Sequence, residues 1–193
     1  MAAKSPVQGE NRQMKWMIAS DIHGSALYCR QMLRCFEEEK ADRLVLLGDL
    51  LYHGPRNDLP AEYQPKKVIG MLNEIRNRLL CVRGNCDCEV DQMVLQFPIL
   101  ADYAVLDAGD RLIYATHGHV YTPEKLPPLK TGDILLFGHT HIPFHAEKDG
   151  ILCLNPGSVS IPKEGSVHGY MTYEEGVFRW KTLDGTEYDQ LST

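Results

Sequence analysis

Two histidines one residue apart, His139 and His141 in LLFGHTHIPFH, follow directly on an apolar run. Asp21 and His23 stand in the same relation to the apolar residues of WMIASDIHGS. Three further clusters repeat the placement: GD at Asp49, GNCD with Asn85, and THGH with His117 and His119. A glycine accompanies each cluster (Gly24, Gly48, Gly84, Gly118, Gly138), as suits tight turns that aim side chains at one point. Seven side chains can then converge: Asp21, His23, Asp49, Asn85, His117, His139 and His141. Oxygen and nitrogen donors without thiolate suit Mn(II), Fe(II), Ni(II) or Zn(II). Seven donors exceed what one four-coordinate ion takes. Two ions about 3.5–4 Å apart, sharing one carboxylate, would use them all. A lone GD or GN is only a turn signal, and a single histidine pair at a strand end is more often structural. The joint occurrence points to a shared metal site.

The elements that must position these residues are legible in outline. KWMIAS (15–20), RLVLLGD (43–49) and LLCVRGN (79–85) are short and mostly apolar, as expected of strands covered on both faces. Between the first two, Leu27, Met32, Leu33 and Phe36 fall at helical spacing, with Ser25 placed to cap the N-terminus. Between the second and third, Pro65 suits a first helical turn, and Val68, Leu72 and Ile75 share one face. After residue 100 the pattern turns to strands joined by short turns, and GYMTYEEGVFRWKTL reads as a closing hairpin. One α/β domain is expected, with two sheets packed together and helices outside. Each candidate cluster then lies at the carboxyl end of a strand, where open α/β sheets bind ligands.

Composition limits the rest. The 193 residues suit one domain, and a hydrophobic fraction of 44% supports a core without staples. The net charge is −6, with no lysine or arginine cluster, which argues against nucleic acid as a partner. No apolar stretch approaches the roughly 20 residues that span a bilayer, so no membrane association is expected. The polar segment 1–13 reads as a disordered leader, leaving 14–193 as the domain. Without an export signal, the six cysteines read as reduced thiols and the protein as cytoplasmic. Cys81, Cys86 and Cys88 lack the paired C-x-x-C spacing of structural zinc sites.

Taken together, SDIHGS, GDLLYHGPRN, VRGNCDCEVDQM, THGHVY, FGHTHIP and NPGSVSIPK resemble the motif set of calcineurin-like metallophosphoesterases, and within it the small YfcE-type phosphodiesterase branch. The resemblance spans residues 14–183. It implies a two-sheet sandwich flanked by helices, in four layers α-β-β-α. It implies two divalent ions, Mn(II) first, with Zn(II), Fe(II) or Ni(II) as alternatives. One would be held by Asp21, His23 and His141, with Asp49 bridging to a second held by Asn85, His117 and His139. Asp49, Asn85 and His117 would be the catalytic residues, acting with a bridging hydroxide on a small phosphodiester. The resemblance is also compatible with a homo-oligomer, a dimer or larger.

One position departs from the wider superfamily. Many members carry histidine after GN, where it can protonate a leaving oxygen, whereas this chain has Cys86, a weak hydrogen-bonder. Aryl-like, activated leaving groups are therefore expected. Arg56 in the loop after Asp49 is a candidate for phosphate binding, as are His119 and Cys86 for substrate contact. Asp87 is expected either to orient the site or to cap the following helix. Asn155 and Ser158 are expected to shape a loop, and His145 and His168 to lie at the surface. Two alternatives stay open: a phosphomonoesterase or nucleotide hydrolase, and a protein-binding scaffold like the retromer subunit of this fold.

Overall fold

The computed structural model describes residues 14–193. The leader, residues 1–13, lies outside the described residues. Two mixed sheets pack face to face. The six-stranded sheet contains β1 (Trp16–Ala19), β2 (Arg43–Leu46), β3 (Leu79–Cys81), β9 (Gly169–Glu174), β10 (Val177–Thr182) and β11 (Glu187–Ser192), in the order β11-β10-β9-β1-β2-β3. The five-stranded sheet contains β4 (Tyr103–Asp107), β5 (Leu112–Thr116), β6 (Ile134–Leu136), β7 (Pro143–Lys148) and β8 (Ile151–Pro156), in the order β4-β5-β6-β8-β7. In each sheet three neighbouring strands run parallel: β1, β2 and β3 in one, β5, β6 and β8 in the other.

The period of two explains the packing. In β1, Trp16 and Ile18 face the second sheet, while Met17 and Ala19 face the helices. The inter-sheet core joins Ile18, Val45 and Val82 to Ile113, Ile134, Leu136 and Leu154, all fully or almost fully buried. On the other face, helices α1 (Ala26–Glu38) and α2 (Pro65–Glu74) bury Cys29, Met32, Phe36, Val68 and Leu72. Ser25 caps α1 by accepting from the N–H of Tyr28, and α2 opens at Pro65, both as expected. The buried stripe of α1 is Ala26, Cys29, Met32, Cys35 and Phe36; Leu27 and Leu33 sit at its half-buried margins.

The α/β two-sheet class is as the sequence implies. On the outer face of the five-stranded sheet, however, the cluster of Leu135, Phe137, Ile151 and Cys153 is joined by Tyr114 of β5 and packed by Leu126 and Leu129 of the β5–β6 connection, with no helical member among the described residues. Loop thus takes the place of the expected outer helices there. Two strands, β7 and β11, lie where none was anticipated. Both are edge strands pairing on one side only, and their side chains are almost all exposed or half-buried, so they carry little hydrophobic alternation. The closing hairpin is β9–β10, turning through Glu175 and Gly176, both at positive φ.

Candidate metal centre

The parallel strands of both sheets deliver their carboxyl ends to one point. Asp21 and His23 follow β1, Asp49 follows β2, Asn85 and Cys86 follow β3, His117 follows β5, and His139 and His141 follow β6. The backbone is strained here: of ten non-glycine residues at positive φ among the described residues, five are Asp21, His23, Asp49, His139 and His141. Such conformations cost about 1 kcal/mol or more each and persist where the surroundings fix them. Gly84 and Gly138 make the approach possible, since a Cβ at Gly84 would collide with Asp49, and one at Gly138 with Ser20 and Asp21.

The donors fall into two groups. In the first, His141 Nε2 lies 3.2 Å from Asp21 Oδ1, His23 Nε2 lies 3.5 Å from the same atom, and the two ring nitrogens are 3.3 Å apart. In the second, His117 Nε2 lies 3.0 Å from Asn85 Oδ1 and 3.2 Å from His139 Nδ1. Asp49 joins them: its Oδ2 is 3.6 Å from His23 Nε2 and 3.5 Å from His117 Nε2. Its other oxygen accepts from the N–H of Cys86 at 2.8 Å.

Backbone carbonyls set which ring nitrogen faces inward. His23 Nδ1 contacts Tyr52 O at 2.7 Å, His117 Nδ1 contacts Leu47 O at 2.6 Å, and His141 Nδ1 contacts Ile161 O at 2.6 Å. A carbonyl can only accept, so each Nδ1 carries a proton and donates it. In the neutral rings Nε2 is then an acceptor pointing at other acceptors. Asp21 Oδ1, fully buried, has no hydrogen-bond partner. Lone pairs facing lone pairs in a buried space fit a divalent cation, as does the grouping of Asp21 with His23 and His141, and of Asp49 with Asp21 and His117.

The titration of these groups follows the same field. Burial would raise Asp21, but His141 and His23 hold its pKa well below the ordinary carboxylate range. Burial disfavours charge on His117, yet the Asp49 and Asp21 carboxylates push its pKa up to about 9, so without a cation a proton at Nε2 would take the place that a bound cation would fill. His139 is drawn down to about 4 by burial and by His117. Cys86 is pushed up to about 12 by burial and by Asp49, so it is a thiol at neutral pH.

Supporting residues complete the frame. Buried Asp87 accepts from the N–H groups of Asp49 (2.8 Å), Leu50 (2.9 Å) and Gly84 (2.8 Å), locking the Asp49 loop to the Asn85 loop. It therefore orients the site; the helix after it, α3 (Glu89–Val94), is capped by Cys88 and Asp91. Ser158 and Ser160 donate to the Asp21 carbonyl, and Asn155 donates to Gly138 O at 2.8 Å. His145 is exposed, while His168 is half-buried against Tyr28, with ring centroids 3.9 Å apart.

A cleft of about 300 Å³ opens over the donors, lined by Asp49, Asn85, His139 and His141, by Arg56, Asn57 and Cys86, and by Lys163. The structure thus places Arg56 and Cys86 on the cleft wall. His119 is exposed, its ring 5.4 Å from that of His117, and it does not line the cleft. Lys163 was not anticipated. It sits in the IPKEG loop beyond β8 and carries no local signal beyond its charge.

A two-sheet sandwich whose parallel strands end in an oxygen and nitrogen donor set has the architecture of a metallophosphoesterase. The chain belongs to the calcineurin-like phosphoesterase superfamily, whose domain model matches residues 14–176. It is 49% identical to the Escherichia coli (strain K12) phosphodiesterase YfcE, over 81% of this chain and 85% of that protein. It is 33% identical to the probable metallophosphoesterase YsnB of Bacillus subtilis, over 92% of this chain and 96% of that one. The solved structure of the E. coli phosphoesterase YfcE superposes with a TM-score of 0.89 at 45% identity, covering 93% of this chain and 99% of that one. Among the described residues, no helix is long and apolar enough to cross a membrane.

Proposed function

We propose that the protein is a metal-dependent phosphodiesterase that hydrolyses small phosphodiesters at a site for two divalent ions. The observation that carries this is the position of Asp49 Oδ2, within 3.6 Å of a ring nitrogen from each donor group. Asp21, His23 and His141 would hold one ion, Asn85, His117 and His139 the other, and Asp49 both. When bound, such a pair makes a water acidic enough to attack near neutral pH and offsets charge on the phosphoryl oxygens; Mn(II) is the first candidate.

The chain's own residues do the rest. Tyr52, Leu47 and Ile161 hold three imidazoles in the tautomer that presents Nε2. Asp87 keeps the Asp49 and Asn85 loops in fixed relation, so no reorganisation is needed during reaction. Arg56 and Lys163 on the cleft wall would attract the anionic substrate. With a neutral thiol at Cys86, no strong proton donor stands in that position, which favours leaving groups that depart unprotonated. The phosphodiesterase name carried by the E. coli relative supports the choice of diester over monoester. Six free thiols suit a reducing compartment, in keeping with a cytoplasmic enzyme.

The test is a panel of aryl and alkyl mono- and diesters, assayed after chelation and again after reconstitution with Mn(II). Activity should appear only with metal, be highest on aryl diesters and fall steeply as the leaving group becomes more basic. Equal turnover by the chelated protein would overturn the metal mechanism. A preference for monoesters would make it a phosphomonoesterase, and stoichiometric metal without turnover of any ester would favour the scaffold.

A further inference from the structure

A second groove of about 280 Å³ adjoins the cleft, near the roughly 300 Å³ lower end of small-molecule sites. His139 lines both. Elsewhere the two share no residue, and their chemistry differs. The cleft presents Arg56, Asn57 and Lys163, whereas the groove is walled by Pro123, Phe137, Ile142 and Phe144. Besides His139, the only ionisable side chain lining the groove among the described residues is Glu124, an acid. An anionic group would be repelled there and would lose water without gaining a cation.

The walls are built rather than incidental. Phe137 is buried in the outer cluster of the five-stranded sheet and meets Phe144 edge to face, ring centroids 6.0 Å apart at 62°. Phe144 itself is 39% exposed and belongs to none of the buried clusters, so its ring forms a wall and fills no core. The groove is also lined by bare backbone at Gly118, where φ is 106°. A Cβ there would come within 3.1 Å of Gly138 O and 3.2 Å of the Phe137 ring. Glycine at this point lets the Phe137 ring keep its place in the wall.

We infer that this groove is a subsite for one uncharged apolar or aromatic ester group of the substrate. A phosphodiester has two ester groups and one charge, so a phosphate held beside His139 can place one group in the apolar groove and leave the other toward the cationic cleft. The substrate class is thereby narrowed to diesters with at least one uncharged, preferably aromatic, arm. The inference rests on the phosphodiesterase reading for its chemistry, and its test separates the two.

The full chain loaded with Mn(II) is titrated calorimetrically with diphenyl phosphate and with dimethyl phosphate. It is then assayed on para-nitrophenyl phenyl phosphate and para-nitrophenyl methyl phosphate, which share a leaving group. Phe144→Ala should lower the phenyl-to-methyl ratio, in affinity and in kcat/KM, by roughly tenfold, the scale of discrimination available to an apolar pocket. Thr122→Trp, which fills the groove from its loop side, should lower the same ratio without removing a packed ring. Melting temperatures establish that each variant is folded, and Thr122→Trp decides the matter if Phe144→Ala is not. An unchanged diphenyl-to-dimethyl binding ratio in a folded variant overturns the subsite; a parallel fall in kcat/KM for both esters, with that binding ratio lowered, would place the shared para-nitrophenyl arm in the groove. If neither ester is hydrolysed by the wild type while the binding ratio still falls in the variants, the subsite stands and the phosphodiesterase reading fails.

Discussion

The two ends of β1 carry ionisable groups of opposite design, half-buried at one end and fully buried at the other. Before its first residue, Lys15 Nζ meets Glu39 Oε2 at 2.9 Å, while the other Glu39 oxygen receives Lys181 Nζ at 2.7 Å and the Tyr170 hydroxyl at 2.9 Å. Each carboxylate oxygen there has a donor, and the cluster ties the end of α1 to β9 and β10. Beyond the last residue of β1, Asp21 is fully buried with one oxygen unpartnered, and ring nitrogens face each other across 3.3 Å. The partial burial of one and the full burial of the other do not by themselves explain the difference. What does is whether the chain supplies the opposite charge: at Glu39 it does, and around Asp49 it has arranged acceptors for a charge from outside.

The sharpest way to break this contrast is Asp49→Asn. The amide keeps the shape and can still accept from Cys86, but it puts a neutral group where both donor groups meet. Turnover should fall by about a hundredfold to a thousandfold, the scale of losing one preorganised electrostatic contact. The chelated variant should stay folded and melt only modestly below chelated wild type, because the contacts of Asp49 Oδ2 with His23 and His117 are long, 3.6 and 3.5 Å. Collapse of the metal-free variant would place Asp49 in the same class as Glu39.

Glu39→Gln is the converse experiment. It should leave activity within about twofold and cost roughly 1–2 kcal/mol of stability at neutral pH, the loss of charge-assisted bonds discounted for partial exposure. Burial raises the Glu39 pKa, but Lys181, Lys15 and Tyr170 outweigh it and hold the value below the ordinary 4.5. A depressed carboxylate contributes stability fully above its unfolded pKa and loses it as pH falls through the folded pKa. The stability gap between wild type and Glu39→Gln, read from denaturant midpoints, should therefore narrow below about pH 4.5 and be constant above it. A gap that widens in acid would mean that Glu39 is not the charged member of the cluster.

Arg56→Ala probes the margin of the open site. Arg56 is exposed on the cleft wall, so its contact with a phosphate would be partly screened. KM should rise about two- to fivefold with kcat nearly unchanged, as for binding shared by ground and transition states. Unchanged kinetics would limit the site's cationic wall to Lys163.

Much of this was legible because strand ends write themselves into sequence. The continuous apolarity of WMIA and LVL announces strands buried on both faces, and a donor placed just after such a run has to lie at a sheet edge. Ser25 and Pro65 marked helix starts through their own backbone chemistry. By contrast, β7 and β11 were invisible: edge strands are held by one neighbour's backbone and need few apolar side chains. Asp87 was ambiguous since a carboxylate ahead of a helix looks the same whether it caps that helix or, as here, reaches back to Asp49 and Leu50. Lys163 had no signal because a lysine in a polar loop is the commonest of surface residues.

The sequence by itself determined the candidate donors, their order along the chain and their placement at the ends of apolar strands, because residue type and hydrophobic period are local properties. Only the tertiary structure decided which donors meet. His23 and His141, 118 residues apart, become neighbours because parallel strands from two different sheets end at the same edge. It also decided which atom each histidine presents, since the carbonyls of Tyr52, Leu47 and Ile161 fix the inward nitrogen, and a backbone carbonyl belongs to every residue alike and leaves no mark in the sequence.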